Sequence, residues 1–254
     1  MESSGLALLW WALASVTAGV SAFSPNNGDD VVIDGLSYSV HNANRPWSIQ
    51  NPDPETLTFE LRPGDVWFQD TDDKERSEIA GETLYSPGED ISVSYDFRVA
   101  PGPENTSDWM VIGQLHSVDD YSTPIFAVEL IGERLAIHLR NRSAEWFAFG
   151  DYAPIVRGKY YHVEARLRLN EDERGSVDVW IDGAHVVDYS GPIGYSEDVY
   201  WKQGVYREAS PETIAVDYRD LWIARKAADR AEGVPEGNPR STETRHASAL
   251  IQAN

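Results

Sequence analysis

The chain contains no cysteine, which rules out a disulfide framework, a thiolate zinc site and a cysteine nucleophile. Cations are scarce: 21 Lys and Arg stand against 42 Asp and Glu, a formal charge of −21. Gripping a phosphate backbone takes clustered Lys and Arg, and there is no basic block, so nucleic acid is not an expected partner. Long apolar runs are missing as well. The stretch from Leu6 to Val16 is too short to span a bilayer comfortably, and no membrane association is expected of the processed chain. There is no G-x-G-x-x-G loop for a dinucleotide and no G-x-S-x-G elbow for a serine nucleophile. The six histidines are scattered without an H-x-x-x-H zinc pair, and no metal ligand is assigned. A structural calcium ion stays open, given the many Asp residues.

At 254 residues, with 41% hydrophobic and 11% aromatic residues, the chain can bury a sizeable core. Leu6 to Val16 is followed by small residues ending in Val20-Ser21-Ala22, the pattern of an export signal, although Met1-Glu2-Ser3-Ser4 carries no Lys or Arg. Residues 1–22 are therefore expected to be a signal peptide and the protein to be secreted or periplasmic. Residues 23–226 read as one domain and the product as a monomer. From 227 to 254 the composition shifts to Ala, Glu, Arg, Gly and Pro, which reads as a flexible polar tail.

Within the domain, apolar and polar residues alternate in short segments. Strands are expected at Thr56 to Leu61, Asp90 to Val99, Trp109 to His116, Phe126 to Ile131, Leu135 to Arg142, Tyr160 to Leu169 and Ser176 to Ile181. The turns between them hold Gly, Pro and Asp, and Asp182-Gly183 suits a two-residue type I′ hairpin. About ten or more strands at this spacing predict an all-β fold, a concanavalin-like jelly-roll sandwich of two antiparallel sheets.

Residues two apart on a strand share a face. That rule pairs Arg76 with Glu78, Gln114 with His116, and Tyr200 with Lys202 and Tyr206. It also sets His138, Arg140 and Arg142 opposite the apolar Leu135, Ile137 and Leu139. Polar faces of this kind, turned to a shared concave groove, are what binding a polar polymer requires, because each desolvated polar group needs a partner. For Arg140 and Arg142 an outward, solvated face is an equal reading.

The strings Arg76-Ser77-Glu78-Ile79, Gln114-Leu115-His116 and Tyr200-Trp201-Lys202-Gln203-Gly204-Val205-Tyr206 resemble, in that order, three signature strings of jelly-roll alginate lyases. Those signatures read R-(S/T)-E-L-R, Q-(I/V)-H and Y-F-K-A-G-x-Y-x-Q. The likeness spans the domain and extends to the glucuronan lyase and heparin-lyase-I-like branches of the fold. It departs at two places: Ala80 stands where the second Arg is expected, and Arg207-Glu208 replaces the usual ending. The resemblance implies cofactor-free β-elimination on an anionic polysaccharide containing uronic acid, such as alginate or glucuronan. Tyr206 would be the acid and possible base, His116 the base or its tuning residue, and Arg76 with Gln114 would neutralise the carboxylate. Lys202, Glu78, Tyr200, Arg140, Arg142, His138 and Arg207 would contact substrate or orient those that do.

Two other readings compete. A retaining glycoside hydrolase needs two close carboxylates on one strand face, and the nearest spacings, Asp178 with Asp182 and Glu129 with Glu133, run into turns. A noncatalytic laminin-G-like carbohydrate-binding module fits the Asp182-Gly183 hairpin equally well but has no use for Tyr206 with His116.

Overall fold

The computed structural model describes residues 23–119, 123–172, 174–226 and 252–253. The expected signal peptide, and all but two residues of the expected tail, lie outside this range. The chain begins with β1 (Asp30–Ile33), β2 (Leu36–Asn42), β3 (Ile49–Asp53), β4 (Thr56–Leu61), β5 (Lys74–Gly81) and β6 (Asp90–Val99). It continues through β7 (Met110–Ser117), β8 (Phe126–Ile131), β9 (Arg134–Arg140), β10 (Glu145–Gly150) and β11 (Tyr161–Arg168). The last strands are β12 (Ser176–Ile181), β13 (Ala184–Ser190), β14 (Val199–Glu208), β15 (Ile214–Lys226) and a two-residue β16 (Gln252–Ala253).

The strands form two antiparallel sheets, ordered β10-β9-β8-β7-β14-β5-β2-β1-β16 and β13-β12-β11-β6-β15-β4-β3. This is the jelly-roll sandwich that the alternating segments predict. β6 illustrates why: Ile91, Val93, Tyr95, Phe97 and Val99 are all buried while the residues between them are not. Each such side chain is worth ~1.5–3 kcal/mol in apolar burial. From the facing sheet Ile79, Leu115, Trp201 and Val205 project into the same core. The hairpin between β12 and β13 turns at Asp182 and Gly183, both with positive φ (50° and 78°), as a type I′ turn requires.

The feature that positions the site is the place of β14. It lies between β7 and β5, pairing Lys202 with Gln114 on one side and with Ala80 on the other. A bulge interrupts its pairing with β7 between Gln203 and Tyr206. Gly204 sits in this bulge at φ 137°, and a Cβ there would lie 2.4 Å from the Ser77 carbonyl oxygen. No side chain fits, so the two strands can close over Glu78.

Candidate active site

On the outer face of the nine-stranded sheet a cleft of about 600 Å³ crosses β5, β14, β7, β8, β9 and β10. Arg76, Gln114, His116, Lys202, Tyr206, His138 and Arg140 all line it. Strand parity therefore brings most of the expected residues to one place. Glu78 lies beneath them, fully buried, and Tyr200 borders His116 with ring centroids 5.6 Å apart.

Glu78 is the hub. It accepts hydrogen bonds from Gln114 Nε2 (2.6 Å) and Arg76 Nη1 (3.0 Å), and Lys202 Nζ stands 2.6 Å away. Burial would raise its pKa, but Lys202 and Arg76 outweigh burial and hold it at about 2. Burial pushes Lys202 down, with Glu78 opposing. Because a carboxylate only accepts, the Gln114 amide is oriented with Nε2 on Glu78, which leaves its buried Oε1 without a partner among the described residues. Asp70, from the loop before β5, grips Arg76 through two bonds of 2.7 Å. Three of the five Arg76 N–H groups are thus committed to protein carboxylates. The guanidinium lies 3.9 Å from the centroid of the Tyr206 ring, and Trp109 meets the same ring edge-on at 4.9 Å.

Two of the titratable groups facing the cleft, Tyr206 and His116, are tuned apart. Burial raises the Tyr206 phenol to about 12, with Arg76 only partly opposing, so the phenol holds its proton at neutral pH. His116 is lowered below 6.5 by burial and by Lys202. Its Nδ1 lies 2.7 Å from the Ser117 carbonyl oxygen. That oxygen can only accept, so Nδ1 carries the proton and Nε2 keeps its lone pair.

Two expected contacts are corrected. Arg207 follows Tyr206 on β14 and therefore points to the other face; it is wholly buried, bonded to Glu75 and Glu212, and does not line the cleft. Arg142 lies past the end of β9, where alternation no longer governs direction, and is tied to Glu171 and the Tyr195 carbonyl oxygen in a neighbouring depression. His138 and Arg140 do face the cleft, but the strip is not basic. Glu129 lies 3.0 Å from His138, and Glu145 accepts from Arg140 at 3.0 Å.

Sequence reasoning gave no site role to Asp70, Trp109 or His41, and weighed Glu129 only with Glu133 as a hydrolase pair. His41 stacks on Trp67 at 4.4 Å, and burial together with Lys202 lowers its pKa to about 4. Only strand parity could have found His41 and Glu129, and Asp70 lies in a loop with no period. Among the described residues no group of three or more His, Asp or Glu gathers as a metal ion would need.

The fold is an all-β sandwich of two antiparallel sheets with a cleft across one of them. The sequence narrows this: a profile of the family described as Polysaccharide lyase matches residues 41–224, well over half of the chain, and the chain belongs to that family. It is a polysaccharide lyase. Among solved structures it is similar to the endo-β-1,4-glucuronan lyase of the fungus Trichoderma reesei, at 13% identity and TM-score 0.57 over 84% of this chain and 94% of that one. It is also similar to an alginate lyase from Corynebacterium sp., at 16% identity and TM-score 0.53 over 71% and 82%. An alginate lyase of polysaccharide lyase family 7 gives 15% identity and TM-score 0.52 over 70% and 82%. These likenesses concern the fold. No curated protein matches the sequence.

Proposed function

We propose that the protein cleaves a uronic-acid-containing polysaccharide by β-elimination, with His116 as base and Tyr206 as acid. The observation that carries this reading is the opposite tuning of two groups in one cleft: a neutral imidazole with a free Nε2 lone pair and a phenol that keeps its proton. A C–H beside a carboxylate is a very weak acid, so the enolate-like charge that develops when its proton leaves must be stabilised. Gln114 Nε2 has one N–H beyond its bond to Glu78, and Arg76 has two beyond its bonds to Asp70 and Glu78. In this scheme His116 takes the C5 proton, and Tyr206 protonates the departing O4, leaving a C4–C5 double bond. Glu78 acts through the residues it holds in place. No cofactor enters, and the enzyme works outside the cytoplasm after loss of residues 1–22.

The test is ultraviolet absorbance of the new double bond during incubation with a panel of uronate polymers. Absorbance on at least one polymer is expected, with kcat lowered by about 10²–10⁴-fold in Tyr206→Phe and in His116→Ala. Reducing ends without absorbance would mark hydrolysis and defeat the assignment.

A further inference from the structure

Strand parity sets a row on β5. Lys74, Arg76, Glu78 and Ala80 share the outer face, while Glu75, Ser77 and Ile79 turn to the other: Glu75 accepts from Arg207, Ser77 Oγ donates to the Ser48 carbonyl oxygen, and Ile79 packs in the core. The other Lys and Arg side chains of the cleft each have a protein carboxylate. Arg76 is held by Asp70 and Glu78, Lys202 by Glu78, and Arg140 by Glu145. Lys74 also lines the cleft, half-buried, yet its side chain forms no ion pair and no hydrogen bond among the described residues.

The acids around Lys74 are engaged elsewhere or stand off. Asp73 feels its charge, but the Asp73 carboxylate accepts from Thr71 Oγ1. Glu208, its register partner on β14, accepts from the Asp108 amide at 3.1 Å. The Asp108 side chain lines the same cleft and makes no ion pair with Lys74. An ammonium offers three donors and no acceptor, so a ligand carboxylate entering the cleft meets both its charge and its hydrogen-bonding need.

Position along the strand says which carboxylate. Lys74 and Arg76 are two residues apart on one strand, about 7 Å, which is roughly one sugar unit. In the scheme above Arg76 and Gln114 are taken by the carboxylate of the reacting uronate, so the one that reaches Lys74 is carried by the neighbouring sugar.

We infer that Lys74 is a specificity-determining residue whose ammonium binds the carboxylate of the sugar next to the reacting uronate. The enzyme then reads two carboxylates, one at Arg76 and Gln114 for the reaction and one at Lys74 for affinity. This rests on the lyase reading given above and adds to it a requirement on the neighbouring unit.

The experiment measures, by calorimetry, the affinity of Tyr206→Phe for hexasaccharides of glucuronate, mannuronate and guluronate, alone and combined with Lys74→Gln or Lys74→Arg. On the hexasaccharide bound most tightly, Lys74→Gln should weaken binding about fivefold, the scale of one partly exposed ion pair, and Lys74→Arg, which keeps the charge, should stay within about twofold. Unchanged affinity in Lys74→Gln, an equal loss in both variants, or no binding of any hexasaccharide overturns the inference. The wild-type background then divides affinity from chemistry. With the matching polymer, the loss in Lys74→Gln should fall on KM, read from double-bond absorbance, and a tenfold fall in kcat would put Lys74 on the reacting carboxylate and overturn the inference. Wild-type absorbance tests the lyase reading by itself, so an unchanged Lys74→Gln affinity beside normal wild-type absorbance defeats this inference and leaves that reading intact.

Discussion

Arg76 and Arg207 stand on adjoining strands, one register apart, and both are buried among carboxylates, but on opposite faces of the sheet. Around Arg207 the arrangement is closed. Glu75, Glu212 and two backbone carbonyl oxygens accept four hydrogen bonds from a wholly buried guanidinium, and the same two carboxylates also accept from the Gly64 and Thr106 amides. Around Arg76 the arrangement is open. Asp70 and Glu78 hold the guanidinium, but its other edge faces the cleft, and beside it Gln114 Oε1 is buried without a partner among the described residues. A satisfied ionic network fixes a fold, while one with spare donors and acceptors beside a cleft is prepared for a ligand.

Substituting the two arginines separates these roles. Arg207→Met leaves Glu75 and Glu212 without their buried cation and should lower unfolding free energy by about 3–5 kcal/mol. Denaturant melts would read this, and kcat per folded molecule should stay within about twofold, because the cleft is untouched. Arg76→Met should lower kcat by about 10²–10³-fold, the usual effect of losing one group that stabilises developing charge. Its melt should shift less than that of Arg207→Met, since Asp70 sits on a loop and can turn to water. Equal losses of stability in both variants would abolish the distinction.

Acid sharpens the comparison because His41 and His116, both lowered, lie on the cleft side of the sheet. His41, lowered from 6.5 to about 4, binds fewer protons folded than unfolded, so stability falls as pH drops from 6.5 to 4. His116 contributes with the same sign. Glu78, lowered from 4.5 to about 2, adds stability that is present above 4.5 and disappears as pH falls towards 2. Melting temperature against pH should therefore decline in two stages. His41→Asn should flatten the upper stage and leave the lower one, and an unchanged profile would refute this attribution.

The smallest effect expected is on salt. A chain of formal charge −21 repels a polyanion at long range, while the contacts at Arg76 and Lys202 are short and partly buried. Activity should rise a few-fold from very low to moderate ionic strength, as screening removes the repulsion first. A steady fall from the lowest salt upwards would show that attraction governs encounter.

Much of this was legible in the sequence wherever a period of two held. β4, β6, β8 and β12 begin and end at the residues their alternation predicts, and parity alone set Arg76 with Glu78 and Gln114 with His116. Parity also argues against a cleft role for Arg207, since it is adjacent to Tyr206; the family-derived expectation overrode that rule. Where strands end, the rule ends, so Arg142 and Asp70 were beyond its reach. Glu129 entered the sequence reading only with Glu133 as a hydrolase pair, and its place beside His138 depends on β9 lying alongside β8.

The insertion of β14 between β7 and β5 also has a consequence in time. Arg76 and Tyr206 are 206 − 76 = 130 residues apart, and β5 and β7 flank β14 without pairing to each other. Contacts this distant in sequence carry a large loop-closure entropy and form slowly. No arrangement that lacks β14 brings Tyr206 to Arg76 and Gln114, so a refolding chain should regain activity only as its last large sheet closes, which makes catalysis itself a reporter of complete folding.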